Sequence, residues 1–169
     1  MPNAVLIAGA NGAGKTTFAT SFVPMACPDA VFLNADEIQR LADPTASPLA
    51  AGREMLRRLA ERIDQRRDLV VETTLSSEGY ARVIPGWRAR GYVVTLHYLE
   101  VASADFAVAR VARRVANGGH AIPEGDIRRR YARGRALFKA VYRPAVDLWY
   151  HYRVDERGIR RVDQGQNPH

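Results

Sequence analysis

The 169-residue chain is 47% apolar and 25% charged and carries a formal net charge of +7, which makes it most simply one domain, residues 1–169, with a core that needs no disulfide support. A single cysteine, Cys27, excludes a disulfide framework and a cysteine-based zinc site, and His97, His120, His151 and His169 are too scattered to read as a metal cluster. No stretch approaches the roughly 18 unbroken apolar residues of a membrane span, and the N-terminus has no charged-then-apolar leader pattern, so the expectation is a cytoplasmic protein without membrane contact.

The first element is predicted at Ala4-Val5-Leu6-Ile7-Ala8, an apolar run suited to a buried parallel strand. It runs into Gly9, Ala10, Asn11, Gly12, Ala13, Gly14, Lys15 and Thr16, which fit G-x-x-x-x-G-K-[ST] at every fixed position, and Thr16-Thr17-Phe18-Ala19 open a helix. Strand, loop and helix in that order are what a phosphate-binding loop requires. Its glycines let successive N–H groups turn towards phosphate oxygens, and the helix N-terminus faces the same anion. ATP is the expected nucleotide. Lys15, in a surface loop, would reach the terminal phosphates, the Thr16 hydroxyl would ligate Mg²⁺, and Thr17 lies beside them in the nucleotide site. The bland alternative is a tight strand-to-helix turn with no ligand.

A second strand is predicted at Ala30–Asn34, which brings Asp36 to the same sheet edge as the loop. A carboxylate there could accept a proton from a substrate hydroxyl as it attacks the γ-phosphate, or help to hold Mg²⁺. It could equally cap a helix beginning near Ile38, and spacing alone leaves both readings open. From Gly52 to Ile63 the pattern is helical, with Leu56, Leu59 and Ile63 on one face and charges on the other.

The third strand, Leu69–Thr73, ends in Glu72-Thr73-Thr74-Leu75-Ser76, a carboxylate among small hydroxyls suited to a polyhydroxyl substrate or a hydrated metal. An apolar run ending in an acid also has the form of a Walker B strand. Further strands are predicted at Tyr92–Leu99 and near Tyr150–Val154, so strands alternate with helices. The fold expected is α/β, a mostly parallel sheet flanked by helices, with ligands at the carboxyl ends of the strands.

Before the last strand the basic excess concentrates. Residues 105 to 135 hold eight arginines (110, 113, 114, 128, 129, 130, 133 and 135) against three acids (105, 124 and 126). Ala104 to Asn117 reads as a helix with Arg110 and Arg114 on one face, Asn117-Gly118-Gly119 ends it, and Pro123-Glu124 starts another. Two basic helices on a Gly-Gly-His turn have the build of a lid, residues 104–135, closing over phosphates. Two or three of the eight arginines are expected to touch phosphate, the rest being solvated or paired.

Taken together, these blocks resemble the zeta-toxin family, and more narrowly its short, stand-alone bacterial branch. The resemblance runs over roughly residues 3 to 150 and is carried by Gly9 to Thr16, Asn34-Ala35-Asp36, Ala51-Gly52-Arg53, Glu72-Thr73-Thr74-Leu75-Ser76, Arg110-Val111-Ala112-Arg113-Arg114-Val115, Gly118-Gly119-His120-Ala121-Ile122-Pro123 and Arg129-Arg130-Tyr131. It implies a P-loop NTPase of the nucleoside-monophosphate-kinase type. Longer members use ATP to phosphorylate the 3′-hydroxyl of UDP-N-acetylglucosamine until an antitoxin blocks the nucleotide site. The resemblance further implies Asp36 as catalytic base, Lys15 and Thr16 as phosphate and Mg²⁺ ligands, Glu72, Thr73 and Thr74 as the sugar-side turn, Arg53 before the substrate helix, and Arg110 as a phosphate-binding lid arginine. At the second lid position this chain has His120, which passes that role to Arg114 or Arg128. Where the short branch ends its last strand in Asp-Asn, this chain runs on through Asp155-Glu156-Arg157-Gly158, which leaves the adenine-side contacts open.

The expected partners are therefore a small hydroxyl substrate and an antitoxin. The competing readings are a 5′-hydroxyl polynucleotide kinase or ATP-gated nucleic-acid binder, suggested by the pI of 10.1, and a non-catalytic nucleotide switch. A single-strand binder sets aromatic platforms among its basic residues. Only Phe106 and Tyr131 fall within 105 to 135, which argues against nucleic acid.

Overall fold

The computed structural model describes residues 1–34 and 48–168, the side chains of 48, 49, 51 and 52 excepted. Its strands are β1 (Asn3–Gly9), β2 (Val31–Asn34), β3 (Leu69–Thr73), β4 (Val93–Val101), β5 (Leu148–Asp155) and β6 (Gly158–Gln166). They form one sheet in the order β2-β3-β1-β4-β5-β6, parallel throughout except that β6 returns antiparallel along β5. The helices are α1 (Lys15–Ala26), α2 (Pro48–Asp64), α3 (Gly79–Ala89), α4 (Ala104–Ala116) and α5 (Glu124–Leu137). α5 continues through a π turn, Phe138–Tyr142, into the single-turn α6 (Arg143–Ala145).

Alternation along the strands divides the core between the two faces of the sheet. On one face Ala4, Leu6 and Ala8 of β1 and Val94, Leu96 and Tyr98 of β4 pack beneath Met55, Leu59 and Ile63 of α2 and Ile84 and Trp87 of α3. On the other, Val5 and Ile7 of β1 and Leu99 and Val101 of β4 meet Ala19 of α1 and Ala107 and Val111 of α4. α5 belongs to both faces: Ile127 near its start joins the second cluster and Phe138 beyond its end joins the first. It therefore crosses the carboxyl edge of the sheet, above the loop between β1 and α1.

Two expectations are corrected. The buried stripe of α2 is Met55, Leu59 and Ile63, while Leu56 is 38% exposed. The helix begins at Pro48, and its inward row runs i, i+4, i+8, sharing Leu59 and Ile63 with the row read from sequence and differing only at its first member. The last sheet element is a hairpin, because β6, all but one of its residues exposed, follows β5. Its sequence, GIRRVDQGQ, lacks the apolar alternation that marks a half-buried strand.

One polar group is enclosed on the second face. His97 is 3% exposed and stacks on Tyr150 with ring centroids 4.9 Å apart. Its Nδ1 shares a 3.0 Å hydrogen bond with the Tyr152 hydroxyl, its Nε2 has no partner among the described residues, and burial pulls its pKa down to about 4. The imidazole is neutral at pH 7.

Candidate functional site

The loop after β1 closes through the Ala13 N–H, which donates to the Ala10 carbonyl at 3.1 Å. Gly12 and Gly14 hold left-handed backbone, φ 81° and 85°, which L side chains resist. At Gly12 space is exhausted as well, since a β-carbon would lie 2.8 Å from the Ala107 carbonyl oxygen of α4. α1 starts directly after Gly14 with no side-chain cap and no acidic residue in its first turn, so its leading N–H groups are left for an anion.

Lys15 corrects the surface-loop expectation. It is 8% exposed, and its Nζ donates to the carbonyls of Gly9 at 2.9 Å and Ala10 at 3.1 Å. The ammonium is thus curled against the loop it would serve, with carbonyl oxygens in the role that phosphate oxygens would take.

Glu72 is delivered to the same spot by strand pairing, because the parallel register sets it beside Ile7, two residues before the loop. The Thr16 hydroxyl donates to its Oε2 at 2.9 Å. A hydroxyl and a carboxylate, both oxygen donors, suit a hard divalent cation that keeps phosphate and water in its remaining positions. The pair fits Mg²⁺. Among the described residues no three His, Cys, Asp or Glu side chains form a metal cluster.

Beyond Glu72 the chain makes a tight turn. The Leu75 N–H donates to Thr73 Oγ1 at 3.0 Å, and the Thr74 and Ser76 hydroxyls share a 2.9 Å hydrogen bond. Leu75, 1% exposed, holds φ 57° at its centre, a backbone conformation that aliphatic residues adopt only where packing fixes it.

Two of the eight arginines reach the loop. A β-carbon built on Gly14 would sit 3.4 Å from Arg110 Nη2, so this guanidinium, stacked over Phe106 at 5.6 Å, lies above the loop. Arg130 Nη1 donates to Asn11 Oδ1 at 3.1 Å from α5. Arg114 donates to the His120 carbonyl at 3.2 Å and thereby holds the turn between α4 and α5, while the His120 side chain is exposed. Arg128 is clamped by Asp105 and Glu124, each at 2.7 Å. Arg53 is exposed on α2 and makes no hydrogen bond or ion pair among the described residues. Thr17, next to Thr16, is exposed. Asp36 lies outside the described residues.

Arg130 was visible in the sequence as one of many arginines, yet its place had a signal. Ile127, Arg130, Tyr131, Gly134 and Phe138 fall at helical spacing, so Arg130 shares the inward stripe of α5 while Arg128, Arg129 and Arg133 do not. The same helix is tied down further along by Arg135, which pairs with the buried Glu100 at 2.8 Å. Glu100 also accepts from His151 Nε2 at 2.7 Å. That hydrogen bond, with the charge of Arg135, holds its carboxyl below the ordinary value despite its burial.

Sheet order and loop geometry define a P-loop kinase-like fold. The model of the zeta toxin family matches residues 1–158, and the chain belongs to that family. An uncharacterized protein of Haemophilus influenzae is 30% identical over 131 residues, 76% of this chain and 91% of its own. Among solved structures, one from the PezAT chromosomal toxin-antitoxin system of Streptococcus pneumoniae superposes with a TM-score of 0.65 at 18% identity, over 97% of this chain and 72% of that one. AvrRxo1-ORF1:-ORF2 with ATP superposes with a TM-score of 0.73 at 18% identity, over 97% and 58%. This chain thus spans little more than half the length of the latter.

Proposed function

We propose that the chain is an ATP-dependent kinase that passes the γ-phosphate in line to a hydroxyl, with UDP-N-acetylglucosamine or a related sugar as the leading acceptor. One observation carries this reading: Lys15, Arg110 and Arg130 come from three elements to a single glycine loop, beside the Thr16–Glu72 pair. Three cations on one small loop repel one another unless a polyanion is bound among them. Family membership and the ATP in the AvrRxo1 structure support ATP as that polyanion.

In this reading the loop amides and Lys15 grip the phosphates, and Arg110 and Arg130 stabilise charge as it develops on the moving phosphoryl group. Thr16 would hold Mg²⁺ with Glu72 behind it, and the metal would neutralise charge on the phosphates. The Thr73–Ser76 turn lines the acceptor side. Asp36, following β2 beside β3, serves as the base that takes the hydroxyl proton. Phe106 is engaged under Arg110 and so offers no free platform for a nucleobase, which favours a small-molecule acceptor over a nucleic acid. The toxin-antitoxin origin of the PezAT structure supports an antitoxin as a partner, and the proposed ATP and nucleotide-sugar chemistry would suit a cytoplasmic setting.

Incubation with labelled ATP, Mg²⁺ and a metabolite extract, followed by mass spectrometry of whatever gains phosphate, tests the proposal. A single labelled metabolite with the wild-type chain and none with Lys15→Ala is expected. Asp36→Asn should keep ATP binding and lose transfer by about 100-fold or more. ATP binding with no labelled metabolite would instead favour a nucleotide switch.

A further inference from the structure

α5 and its π turn touch two parts of the site, the P-loop and the turn after β3. Arg130 holds Asn11 in the P-loop, Arg135 holds Glu100 at the end of β4, and Gly134 rests on the turn after β3. At Gly134 the approach is so close that a β-carbon would lie 2.8 Å from the Thr74 carbonyl oxygen. Eight residues on, the Tyr142 hydroxyl donates to the Ser77 carbonyl at 2.5 Å. The turn is therefore gripped at both ends by one helical segment whose other contacts reach the nucleotide loop. The left-handed Leu75 lies between the two grips. A turn that strained keeps its form only while its surroundings impose it, and a π turn is a common insertion where a helix serves a site.

Resting on the nucleotide reading above, we propose that α5 is a strut that couples the P-loop to the Thr73–Ser77 turn, and that Gly134 is the positioning residue at its far contact. When nucleotide phosphates draw the Arg130 guanidinium away from Asn11, the helix carrying it bears on the Thr74 carbonyl. Nucleotide binding thereby sets the turn that lines the acceptor side. The coupling is reciprocal, so an occupied turn raises nucleotide affinity by the same factor. Glycine is required because any side chain at 134 would push the helix off the turn and break the contact through which the two sides act on each other.

Hydrogen exchange on the full chain, with and without Mg²⁺ and the non-hydrolysable analogue AMP-PNP, tests this without knowledge of the acceptor. In the wild-type chain, saturating AMP-PNP should slow exchange of the amides of residues 73 to 79 by about fivefold or more, the lower end of couplings between sites. Gly134→Ala should bind AMP-PNP within about threefold of wild type by calorimetry and lose most of that slowing. Tyr142→Phe, a gentler change that removes only the grip on Ser77, should reduce it in part. A merely structural glycine would change exchange equally with and without nucleotide, which would overturn the proposal. So would AMP-PNP binding that leaves the wild-type turn unchanged. Failure of the wild-type chain to bind AMP-PNP would instead overturn the nucleotide reading and the strut with it.

Discussion

Thr16 and Glu72, 56 positions apart in the chain, meet through a 2.9 Å hydrogen bond from the threonine hydroxyl to the buried carboxylate. The sequence offered two uses for Glu72, a grip on acceptor hydroxyls or the acid of a Walker B strand. Its partner in the structure is the hydroxyl that would ligate Mg²⁺, and that contact favours the second.

Glu72→Gln is therefore expected to raise the Mg²⁺ concentration needed for half-maximal activity by about 10- to 100-fold, the usual effect of removing a group that orients a metal ligand. Steady-state titrations of Mg²⁺ and acceptor with the same variant check it. A change confined to the acceptor KM would return Glu72 to the sugar side.

Lys15→Ala should remove the stabilisation that Mg²⁺-ATP gives the fold. A ligand at 100 times its Kd stabilises by about 2.7 kcal/mol, and for a chain of this size that raises Tm by roughly 5–10 °C. Thermal melts with and without Mg²⁺-ATP should show the rise for the wild type and none for the variant.

Arg110→Ala and Arg130→Ala should each lower kcat by about 100-fold or more while weakening ATP binding much less, because their charges matter most as the phosphoryl group moves. Arg128→Ala should cost several-fold at most, since Asp105 and Glu124 already hold that guanidinium. Single-variant kinetics beside calorimetric ATP affinities separate the three.

His97 predicts a pH effect on stability. The folded chain holds this imidazole neutral down to about pH 4, whereas in the unfolded chain it takes a proton near pH 6.5. The unfolded state therefore gains protons first as pH falls. Stability is full above about pH 7 and is lost between pH 6.5 and about 4, by on the order of 3 kcal/mol. Urea unfolding of wild type and His97→Phe across this range should give a steeper fall for the wild type. The low-lying carboxyl of Glu100 is common to both chains and drops out of the difference.

The glycine loop, the parallel strands and the two arginine-rich helices were legible because each is encoded locally: Gly9 to Thr16 is contiguous, and β1 and β3 contain the apolar runs Ala4 to Ala8 and Leu69 to Val71. β6 was not, because an exposed edge strand such as Ile159 to Gln166 needs no apolar face and takes its form from pairing with β5. The exposed Leu56 shows the same limit at the scale of one residue, since Met55 and Leu56 stand four and three residues before Leu59 and only packing against the sheet decides which is covered. In the site, Lys15, Thr16 and Arg110 could be picked out by motif or by resemblance. The Thr16–Glu72 bond, the clamp on Arg128 and the contact of Gly134 with Thr74 depend on register and crossing angles that no local pattern records.

Passage of phosphate from ATP at this loop to a hydroxyl is read out by measuring ADP and phosphorylated UDP-N-acetylglucosamine in one reaction of the wild-type chain with Mg²⁺-ATP and that sugar nucleotide. The two products are expected in equal amounts, and neither with Lys15→Ala. ADP formed without a phosphorylated acceptor, with this sugar nucleotide and with a metabolite extract alike, would contradict that transfer.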